Sequence, residues 1–150
     1  MTTLLDTNVL LRSAEPAHPQ HEVAKRAVDV LLDRREVVCL IPQVLYEFWV
    51  VATRPVEQNG LGLSTGAAHA EIARLERVFP VLLDSPELFA EWKRLVTHYD
   101  VKGKNAHDAR IVAAMKVHAV TMLLSFNTQD FNRFTEIRLV SPQEVLSSAP

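Results

Sequence analysis

The sequence predicts an α/β fold built on a mostly parallel sheet with helices on both faces. Three observations lead there. Segments that are nearly all apolar and only strand-long recur along the chain. Stretches with apolar residues at helical spacing separate them. Polar residues that could do chemistry fall just after several of the strands. A strand buried on both faces reads as a continuous apolar run, and helices between such strands supply the crossovers that a parallel sheet needs. In sheets of this kind, sites form beyond the carboxyl ends of the strands. At 150 residues the chain is read as a single domain, residues 1–150, large enough for a real core.

Thr2–Leu5 is the first strand. Asn8–Arg12 follows as a short helix, closed by the loop that carries Pro16 and Pro19. His21–Arg34 places Val23, Ala27, Val30 and Leu31 at helical spacing. Val37–Ile41 is an apolar run of strand length, stopped by Pro42. "PQVLYEFWVVATR" opens with that proline at the first helical position, where its missing N–H costs nothing, and Pro55 ends the helix. "EQNGLGLS" is a loop; it lacks the glycine spacing and the lysine of a phosphate-binding loop. Ser64 with Ala67–Val78 gives the next helix, and Val81–Leu83 a short strand. Ser85 is expected to cap a helix that has Pro86 at its first position and runs to about Tyr99. After the loop "DVKGKN", Ala106–His118 is helical, Thr121–Ser125 and Arg138–Val140 are strands, and "SPQE" opens a final short helix.

Composition narrows the functional classes. The net charge of -2 gives no whole-protein basic field, so any nucleic-acid contact must be local. No apolar run reaches the ~18 residues that suggest a membrane span, and the beginning of the chain does not read as a secretory signal. A single cysteine, Cys39, excludes an internal disulfide and a cysteine-built zinc site; it falls in a buried strand and reads as inert core. These features lead to the expectation of a cytoplasmic protein with no membrane partner.

Three acids stand out. Asp6 sits where the first strand stops and a helix starts. Glu47 lies inside "VLYEFWVV", with large apolar residues on both sides. Asp108 occupies the first turn of a helix whose core face is marked by Ile111, Val112 and Met115. Each has an ordinary explanation: Asp6 as a helix N-cap, Asp108 as a complement to the helix dipole, Glu47 as part of a narrow exposed face. Together they would repel one another unless a cation neutralised them. Hard divalent ions such as Mg²⁺ or Mn²⁺ prefer carboxylate oxygens.

The same residues carry a resemblance. "LLDTNVLL", the glutamate in "PQVLYEFWVV", "HDARIVAAMKVHAVTMLLSFNTQDF" and the final "IRLVSPQEVL" look like a PIN domain, and more narrowly like the VapC-type toxins of bacterial toxin–antitoxin pairs. The match spans about residues 2–146. It implies a three-layer α/β/α sandwich, a Mg²⁺- or Mn²⁺-dependent endoribonuclease, a homodimer, and a cognate antitoxin that blocks the site. Asp6, Glu47 and Asp108 match the family's first three acidic positions, and Asn127 falls on the fourth. The implied metal ligands are Asp6 and Asp108. Ser125 matches the hydroxyl near the metal, Asp130 an aspartate that more often begins a turn, and Asn8 a residue that fixes the opening loop. Asparagine at position 127 leaves about three negative charges instead of four, hence the expectation of one resting metal ion. Attack by a metal-oriented water would leave a 5′-phosphate and a 3′-hydroxyl.

Lys102 and Lys104, next to Asp108, and more weakly Arg12 and Arg110, are candidate RNA-phosphate contacts. Two other functions compete. A phosphatase-like protein could use Asp6 as nucleophile, although position 8 then carries Asn where a general acid is wanted. The fold could also serve as a non-catalytic RNA- or protein-binding module. Large hydrophobes on "VLYEFWVV" and on the helix around residues 64–78 exceed what a small core needs, which leaves some for a dimer or antitoxin groove.

Overall fold

In the computed structural model, which describes residues 1–148, four parallel strands form one sheet in the order β2-β1-β3-β4. The strands are β1 (Thr2–Leu5), β2 (Val37–Cys39), β3 (Met122–Leu124) and β4 (Arg138–Val140). Leu4 of β1 lies opposite Cys39 on one side and Leu123 on the other. Successive residues of a strand point to opposite faces. Leu4 and Leu5 are both buried, as are Val38 and Cys39, and Leu123 and Leu124. The sheet is therefore covered on both faces, which makes the three-layer α/β/α sandwich expected above.

Among the described residues, seven helices supply the cover: α1 (Thr7–Ser13), α2 (His21–Asp33), α3 (Pro42–Thr53), α4 (Thr65–Val78), α5 (Leu88–His98), α6 (Asn105–Val117) and α7 (Pro142–Ser147). Helix α5 packs on α6, α2 on α7, and α1 touches both α2 and α3. Phe48, Phe131, Phe134, Ile111 and Met115 are fully buried among them. Cys39 is buried, and burial pushes its thiol up to about 11, so it stays a protonated core side chain.

Three elements depart from expectation. Val81–Leu83 shrinks to one parallel bridge between Leu40 and Val81, where Leu40 N–H donates to Pro80 O and Leu82 N–H to Leu40 O. Leu83 is already 68% exposed, so the sheet edge gains no further burial there. Ser85 does not cap α5. That helix starts at Leu88, and Glu87 stands at its cap without a side-chain hydrogen bond. Ser141 does cap α7: its hydroxyl accepts from the Glu144 N–H while the Glu144 carboxylate accepts from the Ser141 N–H. Both segments read Ser-Pro, but only the second has an acid three residues after the serine to close the reciprocal pair. Finally, Val56–Gln58 is a short 3-10 turn rather than plain loop.

Candidate active site and metal centre

The backbone delivers Asp6 to the carboxyl edge of the sheet. Its N–H extends the ladder by donating to Leu124 O at 3.0 Å. Its extended conformation then breaks the strand and starts α1, and Oδ1 accepts from the Thr7 N–H at 2.8 Å. The N-cap reading of Asp6 is thus correct as far as it goes. The other oxygen is engaged differently. Oδ2 accepts from Ser125 Oγ at 2.6 Å and from Asn8 Nδ2 at 3.2 Å. Ser125 is fully buried at the end of β3, and its Oγ also accepts from Asn8 Nδ2 and from the Asn127 N–H. Asn8 Oδ1 accepts from the Phe126 N–H. Asn8 and Ser125 therefore fasten the ends of two neighbouring strands around the Asp6 carboxylate. With its amide spent in this way, Asn8 is not a general acid, which removes the support for a phosphatase-like use of Asp6.

Glu47 projects from the second turn of α3, the helix that follows β2. Its Oε2 accepts from Thr7 Oγ1 at 2.6 Å and its Oε1 from Gln43 Nε2 at 2.9 Å. Asp108 is half-buried in the first turn of α6. Its carboxyl is pushed up to about 6, first by burial and then by the charges of Asp130, Asp6 and Glu47, with His107 opposing. Asp6, only 6% exposed, is also raised above the usual carboxylate range. Burial raises it most; the Ser125 and Thr7 hydrogen bonds oppose, and Glu47 and Asp130 add to the rise. Four carboxylates from four separate segments thus feel one another's charge.

The fourth of them is Asp130. The 3-10 turn Thr128–Phe131, closed by the Asp130 N–H donating to Asn127 O, brings Asp130 near enough for its charge to reach Asp108 and Asp6. Asn127 sits one turn earlier, exposed, with its N–H on Ser125. The charge of Asp130, on the turn that follows β3, thus adds to those of Glu47 and the other acids around Asp108.

The basic candidates separate. Arg12 pairs with Glu15 at 3.4 Å, within its own turn. Lys102 is 83% exposed beside Asp100, and Lys104 is exposed at the start of α6. Arg110 is engaged with its own protein: Nη1 donates to Gln43 Oε1 at 2.9 Å and Nη2 to Asp84 Oδ2 at 2.8 Å. Sequence reading missed Thr7, Gln43 and Asp84. Only Gln43 left a trace, four residues before Glu47 on the same helix face.

Among the described residues, no three His, Cys, Asp or Glu side chains close on one point as a ready-made cation cage. The donor set still suits a small hard ion. Mg²⁺ is commonly held by one or two carboxylates while the rest of its shell stays water. Mutually repelling carboxylates, one with its pKa at about 6, are the environment that a divalent ion relieves. Asp6 and Asp108 supply carboxylate oxygens of the kind that could hold it.

Residues 3–137 match the family described as PIN domain. No curated protein matches the chain. Among solved structures, the chain is similar to VapBC2 from Rickettsia felis, bound to a DNA fragment from their promoter, with a TM-score of 0.71 at 14% identity; the match covers 94% of this chain and 98% of that one. It is similar to VapC20 of Mycobacterium tuberculosis, described as a sarcin-ricin loop cleaving toxin, with a TM-score of 0.65 at 25% identity, covering 91% and 98%. A toxin–antitoxin complex from Klebsiella pneumoniae aligns with a TM-score of 0.63 at 21% identity, covering 93% and 97%.

Proposed function

The chain belongs to the PIN domain family, and from that premise we propose that it is a divalent-metal-dependent endoribonuclease, the toxin of a toxin–antitoxin pair. The observation that supports the reading is the grouping of Asp6, Glu47, Asp108 and Asp130, from four segments, near enough for the charge of the other three to bear on Asp108, with Glu47 bonded to Thr7 beside Asp6. Similarity to a toxin that cleaves the sarcin-ricin loop supports RNA as substrate.

In this proposal Asp6 and Asp108 hold one Mg²⁺ or Mn²⁺. Such an ion lowers the pKa of a bound water and stabilises charge building on a phosphate. The chain's own residues do the rest. Ser125 and Asn8 fix the Asp6 carboxylate, so it costs no reorganisation when negative charge builds nearby. Glu47 has one lone pair on each oxygen engaged, by Thr7 and Gln43, and keeps the others to orient water. Asn127 and Asp130 follow β3 at the same end of the sheet and are proposed to border the site. Lys102 and Lys104, exposed next to Asp108, are positioned to attract RNA phosphates. In-line attack of water on phosphorus breaks the bond to the 3′-oxygen and leaves a 5′-phosphate and a 3′-hydroxyl.

Partners follow the same reading. A groove between α3 and α4, of about 570 Å³ and lined by Leu45, Tyr46, Trp49, Val50, Ile72 and Leu83, realises the surplus of hydrophobes seen in the sequence. We assign it to a protein partner, either the antitoxin or a second copy of the chain. Among the described residues no helix is long and apolar enough to cross a membrane, and the proposed place of action is the cytoplasm.

The test is RNA cleavage by antitoxin-free protein with Mg²⁺ or Mn²⁺, beside an EDTA control and Asp108→Asn. Cleavage that needs the metal and Asp108, with 5′-phosphate ends, is the expected result. A 2′,3′-cyclic phosphate would exclude attack by water. Binding of RNA without cleavage at any metal concentration would establish a non-catalytic module.

A further inference from the structure

A buried amide joins the carriers of two of these acids. Gln43 is only 6% exposed, in the first turn of α3, and both its amide donors and its carbonyl oxygen are engaged. Oε1 accepts from Arg110 at 2.9 Å. Nε2 donates at 2.9 Å to Glu47 Oε1, four residues on, and at 2.9 Å to the backbone carbonyl of His107, the residue before Asp108. A guanidinium has donors and no acceptor, so Arg110 fixes which way the amide faces: oxygen toward Arg110, nitrogen toward Glu47. Asp84 in turn holds the other arm of Arg110. The contact set asks for one acceptor and two donors at the end of a three-carbon reach. Glutamine meets that demand, while glutamate, methionine and leucine do not.

We propose that Gln43 is a positioning residue for the reaction: with Thr7 it clamps Glu47 from both oxygens and ties it to the start of α6, which sets the Glu47–Asp108 separation. The inference rests on the nuclease reading above. It redefines Arg110 as well, from a candidate RNA contact to the group that orients Gln43. Asp84, Arg110, Gln43, Glu47 and Thr7 form one hydrogen-bonded chain that crosses from the segment before α5, through α6 and α3, to α1.

Two variants separate positioning from simple packing. Gln43→Glu keeps the shape and the Arg110 contact, but puts an acceptor where Glu47 and the His107 carbonyl need donors. Gln43→Met keeps the volume and removes all three bonds. With Mn²⁺ and a concentration series of total transfer and ribosomal RNA, both should lose about 10- to 100-fold in kcat. The apparent KM should stay within about threefold, because the RNA-contacting surface is intact. A second readout needs neither metal nor turnover. In metal-free ¹⁵N-labelled protein, the two Gln43 side-chain amide protons should be protected from exchange with water. Glu47→Ala should release one proton and leave the other on the His107 carbonyl. The inference is overturned if Glu47→Ala leaves the Gln43 amide signals unchanged. It is also overturned if both Gln43 variants cleave within about twofold of wild type, or if lost activity tracks lost fold in both. Wild-type protein that cuts none of these RNAs refutes the nuclease reading itself and takes this inference with it; cleavage indifferent to Gln43 refutes the positioning role alone.

Discussion

Asp108→Asn should abolish cleavage and yet stabilise the metal-free protein. The carboxyl of Asp108 is carried from an ordinary 3.8 to about 6 by burial and by three neighbouring acids. At ~1.4 kcal/mol per tenfold change, keeping it ionised at pH 7.5 costs about 3 kcal/mol. The side chain is only half-buried, and solvent screening reduces this to about 1.5 kcal/mol. Because the folded-state pKa lies above the unfolded one, the contribution of Asp108 to stability is fully present below pH 3.8 and is lost as pH rises through about 6. An asparagine of the same shape escapes that loss. Thermal unfolding of the EDTA-treated proteins at pH 7.5 should place the variant about 3 to 6 °C above wild type. At pH 3.5 the gap should nearly close, since Asp108 is then mostly protonated whether the chain is folded or not. Saturating Mn²⁺ should reverse the order at pH 7.5, because only wild type keeps both ligands. A variant less stable than wild type in EDTA at pH 7.5, or a gain that ignores pH, would refute the electrostatic account of the site.

Other outcomes can be checked with the same preparations. Mn²⁺ at a hundred times its dissociation constant should stabilise wild type by about 2.7 kcal/mol in chemical denaturation, and Asp6→Asn should remove most of that increment. Glu136 accepts from Arg94 and Tyr99 and lies 3.5 Å from Lys116, and these contacts hold its carboxyl down at about 2. Its contribution is therefore present above about pH 4.5 and lost as pH falls toward 2; Glu136→Gln should cost about 1 kcal/mol at pH 7 and nothing at pH 2, read from urea midpoints. Phe48→Ala, which empties a fully buried site under α3, should cost about 3–5 kcal/mol by the same measurement. Ser141→Ala should cost about 1 kcal/mol by opening the capping box of α7.

What could be read from the sequence follows from where the deciding contacts lie. Strands buried on both faces announce themselves as apolar runs, so β1, β2, β3 and the parallel sheet were legible. Pro42 and Ser141 act through their immediate neighbours, so the starts of α3 and α7 were legible too. Ser85 misled because the Pro86–Glu87 stretch forms a turn, with the Leu88 N–H on the Ser85 carbonyl, and the helix starts only at Leu88. Asp6, Glu47 and Asp108 could be singled out as acids in apolar surroundings. Asn127 and Asp130 could not be ranked against each other, since the charge of Asp130 reaches Asp108 only through the 3-10 turn that the sequence pattern does not specify. Gln43 and Arg110 were opaque for a different reason: their partners lie 64, 67 and 26 residues away along the chain.

The central place of β1 also orders events in time. The carboxylate of Asp6 is fixed by Ser125, 119 residues further along, and β1 finds β3 only after the intervening helices exist. At synthesis rates of about 5–20 residues per second, that interval lasts about 6 to 24 s. A nascent chain can pair β1 with β2 early, and can already carry Asp6 and Glu47. It lacks the second half of the cradle until β3 emerges. If the chain cuts RNA, it is made by a machine of RNA, and this strand order keeps the cutting edge unassembled during most of the time the two are tethered.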